Sequence, residues 1–205
     1  MISYTDHQRD YDWFRSRLGN FTGSRISELI GKPRTKGEEW TDKAKTYIAT
    51  IEGQRSMNPM YIVDDELFEE YLQIHTATSK YMDFGTEQEE FARSEYERVS
   101  GNKVEETGMV LHPTIKNFAS SPDGLIDSGK GCIEIKCPKQ ETFVGYRTYI
   151  HDGDDLLKYK KEYAYQIQAH MMCTGAEYCD FICYCVFHPK PLPVVRIYPN
   201  EEMPS

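Results

Sequence analysis

The run Cys132-Ile133-Glu134-Ile135-Lys136-Cys137 alternates apolar and charged side chains. On a β-strand, successive side chains point to opposite faces. Ile133, Ile135 and Cys137 then share one face, which needs a covering layer. Glu134 and Lys136 share the other, about 7 Å apart along the strand. Upstream stands Ser121-Pro122-Asp123-Gly124. Proline and glycine are turn formers, so Asp123 falls where an adjacent strand begins. If the two runs form a hairpin, Asp123 approaches Glu134.

The rest of the chain supplies the layers. Residues 9–18 read as a short helix ended by Gly19, and Thr22 or Ser24 is placed to cap a second one through Ile26, Leu29 and Ile30. Residues 33–42 read as an exposed loop, and 42–52 and 64–75 as helices. Residues 86–100 form a helix closed by Gly101. Short apolar runs at 109–112, 118–120, 124–127 and 132–137 then read as a strand meander. Helices are expected over 140–150 and 155–173, and strands over 178–187 and 194–198, joined across Pro189, Pro191 and Pro193. This order predicts one α/β domain over residues 1–205, a central mixed sheet flanked by helices. With 205 residues, 39% hydrophobic, the chain is long enough for one real core.

No apolar run is long enough to span a membrane, and the polar N-terminus lacks the apolar stretch of a secretory signal. Six cysteines, none in a C-x-x-C pair, read as buried thiols in a reducing compartment. Cys183 and Cys185 fall on one face of their strand. The net charge of −9 argues against a partner rich in phosphate, which is held mainly by Lys and Arg. Two local clusters qualify that objection: Arg15, Arg17 and Arg25, and Lys158, Lys160 and Lys161. A bound cation also reverses the sign of an acidic site.

Asp123 and Glu134 converging on one point make a hard oxygen site suited to Mg²⁺ or Mn²⁺, with the Ile135 carbonyl as a neutral oxygen. Lys136 beside them is placed to orient a water and stabilise charge on a phosphoryl group. The plainer reading of a Glu-x-Lys pair is a solvated strand face. The upstream Pro-Asp-Gly and the apolar opposite face favour the cation site. A third carboxylate comes from helix 86–100. Its apolar stripe of Ala92, Tyr96 and Val99, extended backward, reaches Glu89, while Glu87 and Glu90 point elsewhere. An acidic first turn favoured by the helix dipole explains Glu89 equally well. In helix 155–173, Tyr163, Gln166 and His170 lie side by side. Tyr163 and Gln166 are placed to bond a phosphate or a metal-bound water, a solvated polar face being the equal alternative. No role is assigned to His170.

Four ordered motifs resemble the lambda exonuclease family, including its YqaJ-type viral recombination nucleases, within the PD-(D/E)XK restriction-endonuclease-like fold. Trp13, Arg17, Gly19 and Thr22-Gly23-Ser24 are similar to W-x-x-x-R-x-G-x-x-T-[AG]-S. Gly85 to Glu89 is similar to G-x-x-x-E. Ser121-Pro122-Asp123-Gly124 with Glu134-Ile135-Lys136-Cys137-Pro138 is the third. Tyr163-Ala164-Tyr165-Gln166-Ile167-Gln168 with Thr174-Gly175 is the fourth. The resemblance implies Asp123, Glu134 and Glu89 around two Mg²⁺ ions, for which Mn²⁺ can substitute. It implies Lys136 positioning the nucleophilic water and Gln166 and Tyr163 lining the site. Arg17, Ser24 and Ser121 match positions that hold a terminal 5′-phosphate. The implied activity is 5′→3′ degradation of one strand at double-stranded DNA ends, releasing mononucleotides and leaving 3′ overhangs. The implied setting is a homotrimeric ring working with a single-strand annealing protein, phage- or prophage-encoded and cytoplasmic. An acidic exterior with a basic lumen reconciles that ring with the net charge.

Three rivals are weighed beside it. An iron–sulfur nuclease of the same fold needs cysteines bracketing the core, and here all six begin at Cys132. An endonuclease of the same fold would cut a closed circle. A non-catalytic DNA-end-binding module would bind ends without releasing nucleotides.

Overall fold

The structure is a computed structural model and describes residues 10–76, 80–190 and 192–200, with backbone alone for 80–83. The start of the predicted first helix at residue 9, the polar stretch before it and Pro191 lie outside the described residues. Helix α1, Tyr11–Arg17, is capped by Asp10, whose side chain accepts from the Trp13 N–H. It stops before Gly19, whose φ of +70° suits glycine.

The helix expected after Thr22 is not an α-helix. Phe21–Thr22 forms strand β1, and Gly23–Glu28 is a 3₁₀ segment with no side-chain cap bond. The physical reason is tertiary packing that overrides the local preference: the segment leaves a paired strand and is pressed at Gly23 against Ser120 and Ala169. The Phe21 N–H donates to the Asn117 carbonyl at 2.7 Å, and the Thr22 N–H donates to the Tyr47 hydroxyl at 2.8 Å. Helices α2 (Asp42–Arg55) and α4 (Asp65–His75) are capped by Thr41 and Asp64, with a short α3 (Met60–Val63) between them. Helix α5, Lys80–Ser100, starts upstream of the predicted Thr86 and runs through Gly85. An interior glycine costs about 1 kcal/mol and need not break a helix. Gly101, φ +75°, closes it as expected.

The predicted single sheet is two sheets. Strands β2 (Val110–Leu111) and β3 (Phe118–Ser120) join β1 in the order β1-β3-β2. Strands β4 (Gly124–Ile126), β5 (Gly131–Lys136), β6 (Tyr178–Cys183) and β7 (Val194–Ile197) form the second, in that order. Only the central β5–β6 pair of the second sheet is parallel. The break between sheets falls at Ser121–Asp123, where Pro122 lacks the N–H that a continuous ladder needs. Strand β6 ends at Cys183, short of the expected Phe187. Cys183 and Cys185 still bury into one cluster, and all six cysteines are free thiols.

Helices α6 (Gln140–Tyr149), α7 (Gly153–Tyr159) and α8 (Lys161–Thr174) cover one face of the second sheet. The predicted helix 155–173 is broken at Lys160, φ −143°, ψ 70°, whose N–H bonds back to the Leu156 carbonyl and closes α7. Phe143, Tyr146, Leu156, Ala164, Ile167 and Phe181 pack on this face. Helix α5 covers the other, with Ala92 and Tyr96 against Ile133, Ile135 and Ile182. Each such large apolar side chain contributes roughly 1.5–3 kcal/mol on burial. Val99, expected in that stripe, is 52% exposed. Contact with the sheet ends at Tyr96, whose hydroxyl donates to Asp180 at 2.7 Å, and the last turn projects beyond.

Gly23 marks where the two sheets are pressed together through α8. A Cβ there would lie 2.2 Å from the Ser120 Oγ and 3.0 Å from the Ala169 Cβ. Gly23→Ala should therefore lower stability by about 1–3 kcal/mol, read from the midpoint of urea unfolding. An unchanged midpoint would show that this seam is loose.

Candidate active site

The β4–β5 hairpin pairs Gly124 with Ile133. Strand β4 starts there, so beyond Ile133 the β5 edge meets Asp123 instead of a strand. The Asp123 N–H donates to the Ile133 carbonyl at 3.0 Å. The Ile135 N–H donates to Asp123 Oδ2 at 2.6 Å. In an extended strand the N–H and C=O of one residue lie on the same edge, so the Ile135 carbonyl opens beside the Asp123 carboxylate.

Glu134 and Lys136 project together from the face toward α8. Glu134 is 1% exposed. Lys136 Nζ pairs with its Oε1. His170 Nε2 lies 2.7 Å from its Oε2, and His170 Nδ1 lies 2.7 Å from the Ser120 Oγ. His170 and Ser120 are the residues the sequence reading missed. A signal existed for His170, which sits one turn after Gln166 on the stripe that starts at Tyr163.

The electrostatics of these groups differ. Burial, with Glu134 and Glu89 close by, pushes the Asp123 carboxyl well above the usual range, against the pull of Lys136. Burial also pushes Glu134 up, but Lys136 and His170 outweigh it and hold that carboxyl at about 2. Burial alone would lower Lys136, yet Glu134 and Asp123 raise it above the ordinary lysine value. Beside them, burial and then Glu89 and Asp123 push the Cys137 thiol to about 12.

Glu89 reaches the site from α5. It lines a cavity of about 150 Å³ with Asp123, Thr86, Glu90, Arg93 and Thr107. Glu90, expected to point elsewhere, thus flanks Glu89; adjacent helical residues are only 100° apart. Arg93 spans this cavity to Glu106 at 2.5 Å. On the α8 side, Lys136 Nζ is 5.0 Å from the Tyr163 ring centroid and Lys160 Nζ is 5.9 Å from it. Gln166 is half-buried one turn further along α8.

Arg17, Ser24 and Ser121 meet through Trp13. The Arg17 guanidinium lies 4.3 Å over the Trp13 ring and donates to the Ser24 Oγ at 3.3 Å. The Trp13 indole N–H donates to the Ser121 Oγ at 3.2 Å. Arg15 is neutralised by Asp65 and Asp12, and Arg25 by Glu28. Among the described residues Arg17 has no carboxylate partner, and burial pulls its guanidinium down to about 10. A half-buried cation without a counter-charge suits an anionic group of a ligand.

Among the described residues, no three His, Cys, Asp or Glu side chains already stand close enough to chelate an ion. The donor set still fits a hard divalent cation. Asp123 is half-buried, and burial with Glu134 and Glu89 close by raises its carboxyl, the electrostatics of a site that a cation would relieve. The oxygen donors of Asp123, Glu134, Glu89 and the Ile135 carbonyl are those such a cation prefers.

Residues 12–177 match the family model described as YqaJ-like viral recombinase domain. Among solved structures, the chain is similar to an alkaline exonuclease, LHK-Exo, from Laribacter hongkongensis: 31% identity, TM-score 0.69, covering 94% of this chain and 84% of that one. It matches the same protein in complex with dAMP with a TM-score of 0.72. A phage-related exonuclease from Haemophilus somnus 129PT shares the fold at 18% identity, TM-score 0.63, covering 89% of this chain and 86% of that one. Among curated proteins no sequence matches it.

Proposed function

The chain belongs to the YqaJ-like viral recombinase domain family, and from that premise we propose that it is a Mg²⁺-dependent DNA exonuclease. It degrades one strand of duplex DNA from the 5′ end, releases mononucleotides and leaves 3′ overhangs for single-strand annealing. The observation that carries this reading is the Asp123 carboxylate anchored on the Ile135 N–H at 2.6 Å, beside the buried Glu134–Lys136 pair. The anion-binding Arg17 pocket supports the 5′ polarity, since Ser121 stands two residues before Asp123. The likeness to a relative solved with dAMP fits release of mononucleotides.

Asp123, Glu134, Glu89 and the Ile135 carbonyl would hold two Mg²⁺ ions, with Mn²⁺ able to replace them. Bound there, such ions would polarise the scissile phosphate and make an attacking hydroxide available at neutral pH. Lys136 orients the attacking water through its ammonium and offsets charge on the phosphate. Tyr163 steadies the Lys136 stem from the α8 side, and Gln166 lines the cleft beside it. Arg17, with Ser24 and Ser121, grips the terminal 5′-phosphate and so sets which end is digested.

In this reading the protein acts at double-stranded DNA ends as a homotrimeric ring, with a basic lumen inside an acidic exterior. It would work with a single-strand annealing protein in the cytoplasm of a bacterial host, encoded by a phage or prophage. Among the described residues no helix is long and apolar enough to cross a membrane.

End-labelled duplexes with and without a 5′-phosphate, digested in Mg²⁺, test the polarity. A hydrogen-bonded charged contact is worth about 1.5–3 kcal/mol, so the phosphorylated end should be digested roughly 10- to 100-fold faster. Arg17→Ala should erase that ratio while still degrading the unphosphorylated end, and a closed circular duplex should survive. Equal rates on both ends with the unaltered protein would discard the Arg17 pocket.

A further inference from the structure

Four buried groups form a line from one sheet to the other. Gly23 packs against Ser120 so closely that no side chain fits between them. Ser120, 1% exposed at the end of β3, meets His170 Nδ1 at 2.7 Å. His170, 1% exposed on α8, meets Glu134 Oε2 at 2.7 Å. A carboxylate only accepts hydrogen bonds, so His170 Nε2 donates. A hydroxyl both donates and accepts, so Ser120 can pair with Nδ1 whatever that nitrogen carries.

We infer that His170, held by Ser120, is a positioning residue that fixes the Glu134 carboxylate and thereby sets how tightly the site takes a divalent cation. The inference rests on the metal-dependent reading above. The terminal torsion of a Glu side chain has only broad minima, so its carboxylate takes its orientation from its partners. Lys136 alone would hold one oxygen and leave the other to rotate. His170 holds the second, and each oxygen keeps a further lone pair for a cation. The histidine is itself held at both ring nitrogens, on a helix packed against β3 and the 3₁₀ segment, with Ser120 backed closely by Gly23. A partner that orients a carboxylate ligand from behind is worth about 10- to 100-fold in metal affinity or activity.

Mn²⁺ binding to the full chain, measured by calorimetry without DNA, tests this. His170→Leu should weaken Mn²⁺ binding by about 10- to 100-fold. His170→Gln, which keeps an N–H donor near Nε2, should recover most of that loss. Ser120→Ala, which removes only a hydroxyl, should give a loss of several-fold and decides the matter if the leucine variant does not fold. Duplex-end affinity in EDTA should be the same for all four proteins. Mn²⁺ affinity of His170→Leu or, failing that, Ser120→Ala within twofold of the unaltered protein would overturn the positioning role while leaving the nuclease reading intact. So would an equal loss in the leucine and glutamine variants. No Mn²⁺ binding by the unaltered protein would instead overturn the metal reading, and this inference with it.

Discussion

Lys136→Met should cut Mg²⁺-dependent nucleotide release from a 5′-phosphorylated duplex by at least about 10²- to 10³-fold, the loss seen when one preorganised charge-stabilising donor is removed. Methionine keeps the length and packing of the stem against Tyr163, so the change isolates the ammonium. That ammonium is the one placed between Glu134 and Asp123, both of which raise its pKa against burial. Its removal also leaves the buried Glu134 with His170 alone. Breaking a buried ion pair costs about 3–5 kcal/mol, so the metal-free variant should melt well below the unaltered protein. End binding in EDTA at a temperature where the variant is folded should persist, because Arg17 and its neighbours are untouched. Release within tenfold of the unaltered rate would remove Lys136 from the chemistry.

Asp123→Asn should do two opposite things: abolish nucleotide release and raise the melting temperature in EDTA. The Asp123 carboxyl has a folded pKa raised by burial, Glu134 and Glu89. A carboxylate whose pKa is raised on folding costs stability while charged, and that cost is relieved as the pH falls through the raised value. Asparagine removes the charge and keeps an oxygen for the Ile135 N–H. Each 1 kcal/mol recovered raises the midpoint by about 2–4 °C for a chain of this size. Mn²⁺ should stabilise the unaltered protein and leave Asp123→Asn where it was. Glu134 runs the other way. Its pKa is lowered to about 2, so its contribution is full above the unfolded value of about 4.3 and is lost as the pH falls from there toward 2. Metal-free stability should therefore climb as Asp123 protonates on acidification, then fall as Glu134 does. The Asp123→Asn variant should show only the fall. A variant at this position that melts lower in EDTA and still gains from Mn²⁺ would contradict this account.

The geometry around Asp123, Glu134 and Lys136 was legible because its causes are local. Strand alternation puts Glu134 and Lys136 on one face, and Pro122 and Gly124 bracket the turn that brings Asp123 to the edge. Other features depend on distant partners. Strand β1 is two residues long and exists only because Phe21 and Thr22 find β3. The second-sheet boundary depends on where Pro122 interrupts a ladder formed with remote strands. The break at Lys160 carries no glycine or proline, so the helical pattern reads straight through it. His170, in the run Gln168-Ala169-His170-Met171, looks like a packed helical residue until Ser120, fifty positions earlier, and Glu134 are brought to its two nitrogens. Val99 continues the apolar spacing of Ala92 and Tyr96, but on the last turn of α5 it lies beyond the sheet and stays half-exposed.

A crystal soaked in Mn²⁺ and measured at a wavelength where manganese scatters anomalously reads the central claim directly. The account predicts an anomalous peak about 2.0–2.3 Å from carboxylate oxygens of Asp123 and Glu134, with Glu89 beside it and Lys136 displaced from neither strand nor site. A peak elsewhere, or none at these carboxylates in crystals that diffract well and were soaked at millimolar Mn²⁺, would contradict it.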